Sequence, residues 1–331
     1  MNRVAIIGKQ QPLYIRERMK KMLDEAGCPA DILDMPTRNT ADWKEELAPY
    51  AAIISAGEKI PAETITALPE LRLISRFGVG TNEIDKAAAA ENGVAVCNAA
   101  GSFSKCVAEC ALGLTLNLMR DFVNAEKDLR RGDWSRFFEG RNARQLSGKT
   151  VGLVGFGDIS KAFARMLGAF DCRIVAYDIR KDEEAAKRLN VEFVGLDELF
   201  SVSDVISLHL PLTKDTARMI NVTTLSMMKQ GATLINTSRG GLIDEQAVAD
   251  ALESGRLGHY GSDVFEVEPP PADCPLLGAP NTMLLPHSGS NGIESVEYAG
   301  EYAARNVIDF FSGRRVATIL NPGYAEKAAR K

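Results

Sequence analysis

The chain has 331 residues, of which 45% are hydrophobic and 25% are charged, and its formal net charge is −5 at pH 7. These values are typical of a soluble globular protein with room for two domains of ordinary size. The negative charge disfavours a general nucleic-acid binder, which would normally show a basic face. No run approaches the roughly 20 apolar residues of a membrane span, so we expect neither nucleic acid nor membrane as a partner.

The N-terminal residues lead directly into a short apolar run that ends at Gly8, without the apolar core and cleavage site of a signal peptide. The six cysteines form no C-x-x-C pair, and three histidines accompany them, so a structural zinc site is not expected. These features predict a cytoplasmic protein that holds no metal.

Short apolar runs alternate with helix-length amphipathic segments along the first third of the chain. The predicted strands are 4–7, 30–35, 51–56, 71–75 and 94–97. The predicted helices are 14–26, 43–47, 62–68 and 84–92. Strands that alternate with helices indicate a parallel sheet covered on both faces.

The same pattern restarts after a long predicted helix at 104–120. The further predicted strands are 151–154, 173–177, 191–194, 204–210, 233–236, 258–262 and 282–285. We therefore predict an α/β fold with two doubly wound parallel sheets, of Rossmann and flavodoxin-like type. A final helix at 293–311 that returns to the first domain would make that domain discontinuous. After it, 316–320 is predicted as a short strand-like segment and the tail beyond Pro322 as frayed.

The most informative local motif is a glycine-rich turn at residues 155–160, Gly-Phe-Gly-Asp-Ile-Ser. It follows an apolar run and opens a helical stretch, and the next apolar run ends at Asp178, 21 residues after Gly157. This order is typical of a dinucleotide site, in which glycines and a helix N-terminus receive the pyrophosphate. Asp178 can accept hydrogen bonds from the adenosine ribose. A plain turn between strand and helix is the alternative interpretation.

An acidic residue at position 178 favours NAD over NADP, because a 2′-phosphate would meet like charge. Arg180 and Lys181 lie just beyond it and weaken that preference. His209 ends a predicted strand and is expected to line the cofactor cleft, whereas His259 lies among small residues and is expected to be structural.

Three chemically competent side chains follow successive predicted strands: Arg239, Glu268 and His287. Ligands of open α/β sheets bind at the carboxyl ends of the strands. There, an arginine can hold a carboxylate and polarise a carbonyl, and a histidine can exchange a proton. Glu268 can pair with His287 and favour its charged form. Solvated loop charge is the alternative interpretation for the arginine and the acid.

These blocks together resemble the D-isomer-specific 2-hydroxyacid dehydrogenase family, which includes phosphoglycerate dehydrogenases and glyoxylate/hydroxypyruvate reductases. The resemblance covers nearly the whole chain and rests on residues 75–80, 152–160, 209–211, 236–244, 263–270 and 286–287. It implies an NAD-dependent oxidoreductase that transfers hydride between nicotinamide and C2 of a small D-2-hydroxy or 2-oxo acid. It also implies a substrate-binding domain at 1–101 plus 290–331, an NAD-binding domain at 102–289, and a homodimer built through the latter.

The resemblance assigns roles to individual residues as well. It implies Arg239, Glu268 and His287 as the catalytic set, with His287 as acid and base. Val79 and Gly80, together with Arg239, are the implied substrate-binding residues. The expected cofactor-binding residues are Gly155, Gly157, Asp158, Ile159, Asp178, His209, Pro211, Thr216, Thr237, Ser238, Asp263 and Gly289.

The chain departs from the family pattern at several positions. Phe103 stands where asparagine is usual, which changes the entrance to the substrate site and leaves the substrate unassigned. Ser160 replaces a glycine, and Ser288 replaces an apolar residue. Lys59 is the one basic residue in the 55–59 segment, where phosphate-binding relatives often place arginines.

Two other functional classes remain open. One is an NAD-sensing regulator or corepressor on the same scaffold, with little turnover. The other is a relative of alanine or formate dehydrogenases, which would need different blocks around the histidine.

Trp134, Phe137 and Phe138 are predicted either to pack at a dimer interface or to form a local hydrophobic cluster.

Overall fold

The computed structural model describes residues 2–8, 11–35, 37, 39–135 and 143–329, so Phe137 and Phe138 lie outside the described residues. The chain forms two compact units, residues 1–103 with 292–331 and residues 104–291. Each unit is built on one parallel sheet, which confirms the predicted fold class. In the described part of the chain, no helix has both the length and the apolar character to cross a membrane.

The first unit has a five-stranded sheet with the order β2-β1-β3-β4-β5. Its strands are β1 Val4–Ile7, β2 Ala30–Leu33, β3 Ala52–Ser55, β4 Leu73–Arg76 and β5 Ala95–Asn98. Its helices are α1 Leu13–Glu25, α2 Lys44–Leu47, α3 Ala62–Ala67, α4 Lys86–Glu91, α13 Ile293–Phe311 and α14 Tyr324–Ala328. The predicted helix at 43–47 is preceded by a 3₁₀ turn, Thr40–Trp43.

Both faces of this sheet are buried because alternate residues of each strand point to opposite sides. Val4 and Ile6 of β1 pack with residues of α1 and α13, among them Ile15 and Val307. The intervening residues of β1 join a separate cluster on the other face, with residues of α2, α3 and α4. The returning helix α13 therefore completes the core of the first unit.

The second unit has a seven-stranded sheet with the order β12-β11-β10-β9-β6-β7-β8. Its strands are β6 Thr150–Val154, β7 Arg173–Tyr177, β8 Val191–Phe193, β9 Val205–Leu208, β10 Ala232–Asn236, β11 Leu257–Ser262 and β12 Thr282–Leu284. Its helices are α5 Ser104–Arg120, α6 Phe122–Arg130, α7 Asp158–Leu167, α8 Glu183–Leu189, α9 Leu196–Val202, α10 Val222–Met227, α11 Glu245–Glu253 and α12 Pro275–Gly278.

The strand order of the second unit reverses between β6 and β9. The chain moves outward from β6 through β7 to β8 and then returns to the other side of β6 at β9. Two strands that diverge in this way leave a crevice at their carboxyl ends, where ligands of such sheets bind. The glycine-rich turn lies directly after β6, so it stands at this crevice.

Two predictions for the end of the chain are wrong. The 316–320 segment is not a strand: it makes a single bridge between Ile319 and Cys97. The free edge of β5 is satisfied by the Leu320 amide, which donates to the Val96 carbonyl at 2.8 Å, and by the Asn321 side chain, which accepts from the Val96 amide at 2.8 Å and donates to the Val94 carbonyl at 2.9 Å. The tail forms α14, which packs on α4 rather than fraying. Local sequence does not reveal this helix, because tertiary packing stabilises it.

Candidate active site

The turn between β6 and α7 has the shape that a dinucleotide site needs. Gly155 has a φ of +96°, and a Cβ there would stand 2.6 Å from the carbonyl oxygen of His209. Any other residue at position 155 would have a strained backbone and would clash with this oxygen. The turn is held to β7 by Asp178, whose Oδ2 accepts a 2.7 Å hydrogen bond from the Phe156 amide.

The beginning of α7 offers open space next to free backbone donors. Gly157 precedes the helix without a side-chain cap, and no atom lies within 4 Å of the position where its Cβ would be. Asp158 begins the helix, and Ile159 packs on the core beneath it. Ser160, the departure from glycine, is fully buried, and its hydroxyl has no partner among the described residues.

His209 lies at the divergence of β6 and β9. Its amide donates to the Val154 carbonyl at 2.8 Å, and its ring lies 5.8 Å from the ring of Phe163. Burial lowers the pKa of His209 to about 4, so the imidazole is neutral near pH 7. Its Nε2 is buried without a partner in the described part of the chain.

The loop after His209 is closed by Thr216. Its hydroxyl donates to the Pro211 carbonyl and accepts from the Thr213 amide, both at 2.8 Å. The Thr216 side chain therefore shapes this loop and is already occupied by it.

Thr237 and Ser238 follow β10 at the same edge of the sheet. The Ser238 hydroxyl donates to the Leu208 carbonyl at 2.8 Å, which ties the end of β10 to the end of β9. The Thr237 hydroxyl is buried and has no partner among the described residues. A buried polar group without a partner is costly, so Thr237 and His209 mark a place where a polar ligand would complete the hydrogen bonding.

His287 and Glu268 are brought together as predicted. His287 Nδ1 lies 2.6 Å from Glu268 Oε2, and the two side chains are 49% and 37% exposed. The other carboxylate oxygen accepts a 3.1 Å hydrogen bond from the Phe265 amide. His287 does not end the last strand, because β12 stops at Leu284; it lies in the following loop with a φ of +52°. An imidazole paired in this way, with its other nitrogen free of Glu268, is suited to proton transfer.

The loop that carries His287 is clamped by Asp263. The Asp263 carboxylate is buried and accepts hydrogen bonds from the amides of Ser288 at 2.7 Å and Gly289 at 2.8 Å. Burial raises the pKa of Asp263, and these two donors act in the opposite direction. Asp263 thus fixes the two peptide units that follow the histidine.

Arg239 lies beside the turn that leads to Glu268. It is half-buried, and its Nη1 donates to the neighbouring Ser238 carbonyl at 2.6 Å. The next residue, Gly240, touches the peptide between Phe265 and Glu266 so closely that a Cβ would overlap it. Arg239, Glu268 and His287 therefore follow three adjacent strands, β10, β11 and β12, at one edge of one sheet.

In the first unit, the Val79–Gly80 loop forms a cradle of free amides. The carbonyl of Val79 accepts from Asn98 Nδ2 at 2.8 Å, and that of Gly80 accepts from Arg76 Nε at 2.9 Å. Among the described residues, the amides of Val79 and Gly80 themselves donate no hydrogen bond. Adjacent free amides of this kind suit a carboxylate.

Phe103, the departure from asparagine, lies beneath this loop. Its side chain is buried, its ring lies 6.2 Å from that of Phe77, and its Cε2 would lie 3.8 Å from a Cβ placed on Gly78. It therefore supports the loop from below.

Sequence reasoning assigned no role to Asn98 or Arg76, whose side chains hold the Val79–Gly80 loop. Asn98 ends β5, so the rule that singled out His209 at a strand end could also have found it. His259 lies inside β11, with its Nδ1 3.4 Å from the Thr233 hydroxyl, which fits the expected structural role.

Comparisons with known proteins identify the family. The model of the D-isomer specific 2-hydroxyacid dehydrogenase, NAD binding domain, matches residues 112–289. A glyoxylate reductase of Thermofilum pendens is 38% identical over 302 residues, which cover 87% of this chain and 88% of the relative. A hydroxypyruvate reductase of Thermotoga maritima is 40% identical over 250 residues, 75% of this chain and 80% of the relative.

A solved structure shows the same architecture. The NAD-dependent formate dehydrogenase from Staphylococcus aureus, in complex with NAD, has a TM-score of 0.80 and 30% identity, and the match covers 96% of this chain and 97% of that one. The predicted cofactor, NAD, is thereby confirmed. The chain belongs to the D-isomer-specific 2-hydroxyacid dehydrogenase family, and its second unit contains the NAD-binding domain.

Proposed function

We propose that this dehydrogenase acts on a small, unphosphorylated D-2-hydroxy or 2-oxo acid of the glyoxylate or hydroxypyruvate type. The observation that carries the proposal is the 2.6 Å pair of His287 and Glu268 beside the Arg239 segment. In the direction of reduction, Arg239 binds the carboxylate and carbonyl oxygens of the acid, a task suited to a planar guanidinium. His287 donates a proton to the oxygen on C2, and Glu268 orients the imidazole through its contact with Nδ1.

The second unit supplies the groups that would hold NAD. The first turn of α7 receives the pyrophosphate, since its donors are uncapped and the space at Gly157 is open. Asp178 accepts two backbone amides, and its oxygens retain lone pairs for the ribose hydroxyls. Thr237, Asp263 and Gly289, which follow β10, β11 and β12, would hold the nicotinamide end. When bound, NADH supplies the hydride that reduces C2.

The first unit is proposed as the substrate-binding domain. The free amides of Val79 and Gly80 suit a carboxylate, and this supports the assignment. A phosphate on the substrate is disfavoured by Glu58, which is 4% exposed. Its carboxylate accepts from the amides of Ala56 at 2.7 Å and Gly57 at 3.1 Å, and therefore occupies donors that an anion would need.

We propose a homodimer built through the second unit. No residue of α6 is buried, and Phe122, Leu129 and the following Trp134 are 49%, 55% and 59% exposed. A surface with several large apolar side chains is typical of a protein interface. All six cysteines are free thiols, which supports the proposal of a cytoplasmic location.

The test is NADH oxidation with a panel of glyoxylate, hydroxypyruvate, 3-phosphohydroxypyruvate, pyruvate and bulkier 2-oxo acids. We expect turnover with the first two and weak activity with the phosphorylated acid. His287→Ala should lose about 10²–10⁴-fold in kcat, because a positioned acid is removed, while NADH binding stays nearly unchanged. Absence of turnover with every acid, in a chain that binds NADH, would instead support the NAD-sensing regulator.

A further inference from the structure

The turn that carries Glu268 depends on a carboxylate from another element. Glu245 is the first residue of α11, and its Oε1 accepts a 2.9 Å hydrogen bond from the Glu266 amide. Its Oε2 accepts from Cys274 Sγ at 3.5 Å. The segment between 266 and 274 contains Glu268, so one side chain binds the chain on both sides of that residue.

The peptide between Phe265 and Glu266 is constrained from a second direction. Gly240 lies against it so closely that a side chain at 240 would overlap its backbone atoms. The amide of Phe265 donates to Glu268 Oε1 at 3.1 Å, and Glu268 Oε2 lies 2.6 Å from His287 Nδ1. A rotation of the backbone at 265–266 would therefore move the carboxylate that faces the imidazole.

Glu245 is not required to cap its own helix. Asp244 has that role, since its Oδ1 accepts from the Ala247 amide at 3.1 Å. A carboxylate in the first turn of a helix is favourable in itself, but that effect needs no contact with Glu266 or Cys274. The contacts of Glu245 thus point away from α11 and toward the loop of Glu268.

We propose that Glu245 is a positioning residue for this reaction. It holds the 265–266 backbone so that the Glu268 carboxylate orients His287. The proposal rests on the function proposed above, in which His287 is the acid.

The test compares Glu245→Ala with Glu245→Gln in the full-length enzyme. In the alanine variant we expect kcat for 2-oxo acid reduction to fall about 10- to 100-fold, as for a misplaced reacting group. The KM for NADH should not change. Glutamine keeps an oxygen that accepts from Glu266, so it should restore most of the activity.

Asp244→Ala is the matched control. It removes the cap of the same helix without touching the 265–266 backbone, and should leave kcat within about threefold of the wild type. The NMR spectrum of the imidazole rings provides a readout that needs no turnover, because the chain has three histidines to assign. The ring resonances of His287 should move in Glu245→Ala, because the carboxylate 2.6 Å from its Nδ1 is displaced, and stay in place in Asp244→Ala.

Unmoved His287 ring resonances in Glu245→Ala would overturn the proposal, as would equal losses of kcat in the two alanine variants. Failure of the proposed function looks different. In that case the wild type oxidises NADH with none of the acids, or His287→Ala keeps its turnover, while the NMR comparison still decides whether Glu245 acts on His287.

Discussion

Replacing Asp263 by asparagine should show how much of the catalytic rate depends on the clamp that holds His287. The wild-type carboxylate is 3% exposed and accepts from the Ser288 and Gly289 amides at 2.7 and 2.8 Å. Asparagine retains one acceptor oxygen and presents an NH₂ group to the second amide. One charge-assisted bond is therefore lost and a buried donor stays unpaired, which costs about 2–3 kcal/mol.

If displacement of the His287 loop raises the free energy of activation by this whole amount, kcat falls by up to about 100-fold. The assay is steady-state reduction of glyoxylate at saturating NADH, together with thermal unfolding. Burial raises the pKa of Asp263, so the wild type loses its carboxylate at a higher pH than an ordinary aspartate does. The difference between wild type and variant should accordingly become smaller toward acidic pH.

Asp204→Asn is the control for this substitution. Asp204 also accepts a backbone hydrogen bond, from the Thr150 amide at 2.9 Å, but at the amino ends of β6 and β9, the opposite edge of the sheet. We expect it to lower stability without lowering kcat. The clamp interpretation would be refuted by an Asp263→Asn enzyme that keeps wild-type kcat at neutral pH. A change confined to the KM for NADH would indicate a cofactor contact alone.

Three further predictions concern the cofactor, the buried histidine and the assembly. Asp178→Ala should weaken NAD binding more than NADP binding in fluorescence titrations; equal losses would contradict the ribose assignment. His209 takes up a proton near pH 4 in the fold but near 6.5 in the unfolded chain. The neutral imidazole therefore contributes fully to the free energy of unfolding above pH 6.5, and the free energy of unfolding declines by about 3 kcal/mol toward pH 4. In urea-unfolding measurements, His209→Gln should make the free energy of unfolding less dependent on pH between 6.5 and 4. An unchanged dependence on pH would contradict the assignment to His209. Leu129→Glu should convert the proposed dimer to a monomer in light scattering, whereas an unaltered mass would exclude α6 from the interface.

The two sheets could be predicted because parallel strands that are buried on both faces appear in the sequence as short apolar runs. Val4–Ile7 is buried on both faces and appears in the sequence as an uninterrupted apolar run. The same logic failed for 316–320. An apolar run does not show whether the segment pairs as a strand: 316–320 makes a single bridge, and the backbone groups of Val94 and Val96 bond to the side chain of Asn321.

The adjacency of the site residues was predictable from topology. Parallel strands end at one edge, so residues that follow β10, β11 and β12 are brought close together. The supporting contacts were not predictable. Nothing in the spacing of Glu245 and Glu266 indicates that a helix-initial carboxylate bonds to a loop amide, because this contact depends on how two connections pack above the sheet.

The late return of the chain to its first unit has a consequence for synthesis and folding. Ile15 and Met19 of α1 share their cluster with Ala303 and Val307 of α13. A ribosome that has translated the first hundred residues has therefore made a sheet with one incompletely covered face. The second unit, by contrast, is contiguous and has all its strands once residue 291 has been made. The second unit is thus able to fold first. The nascent first unit stays incomplete until α13 has been made, and meanwhile it is exposed to chaperones and proteases.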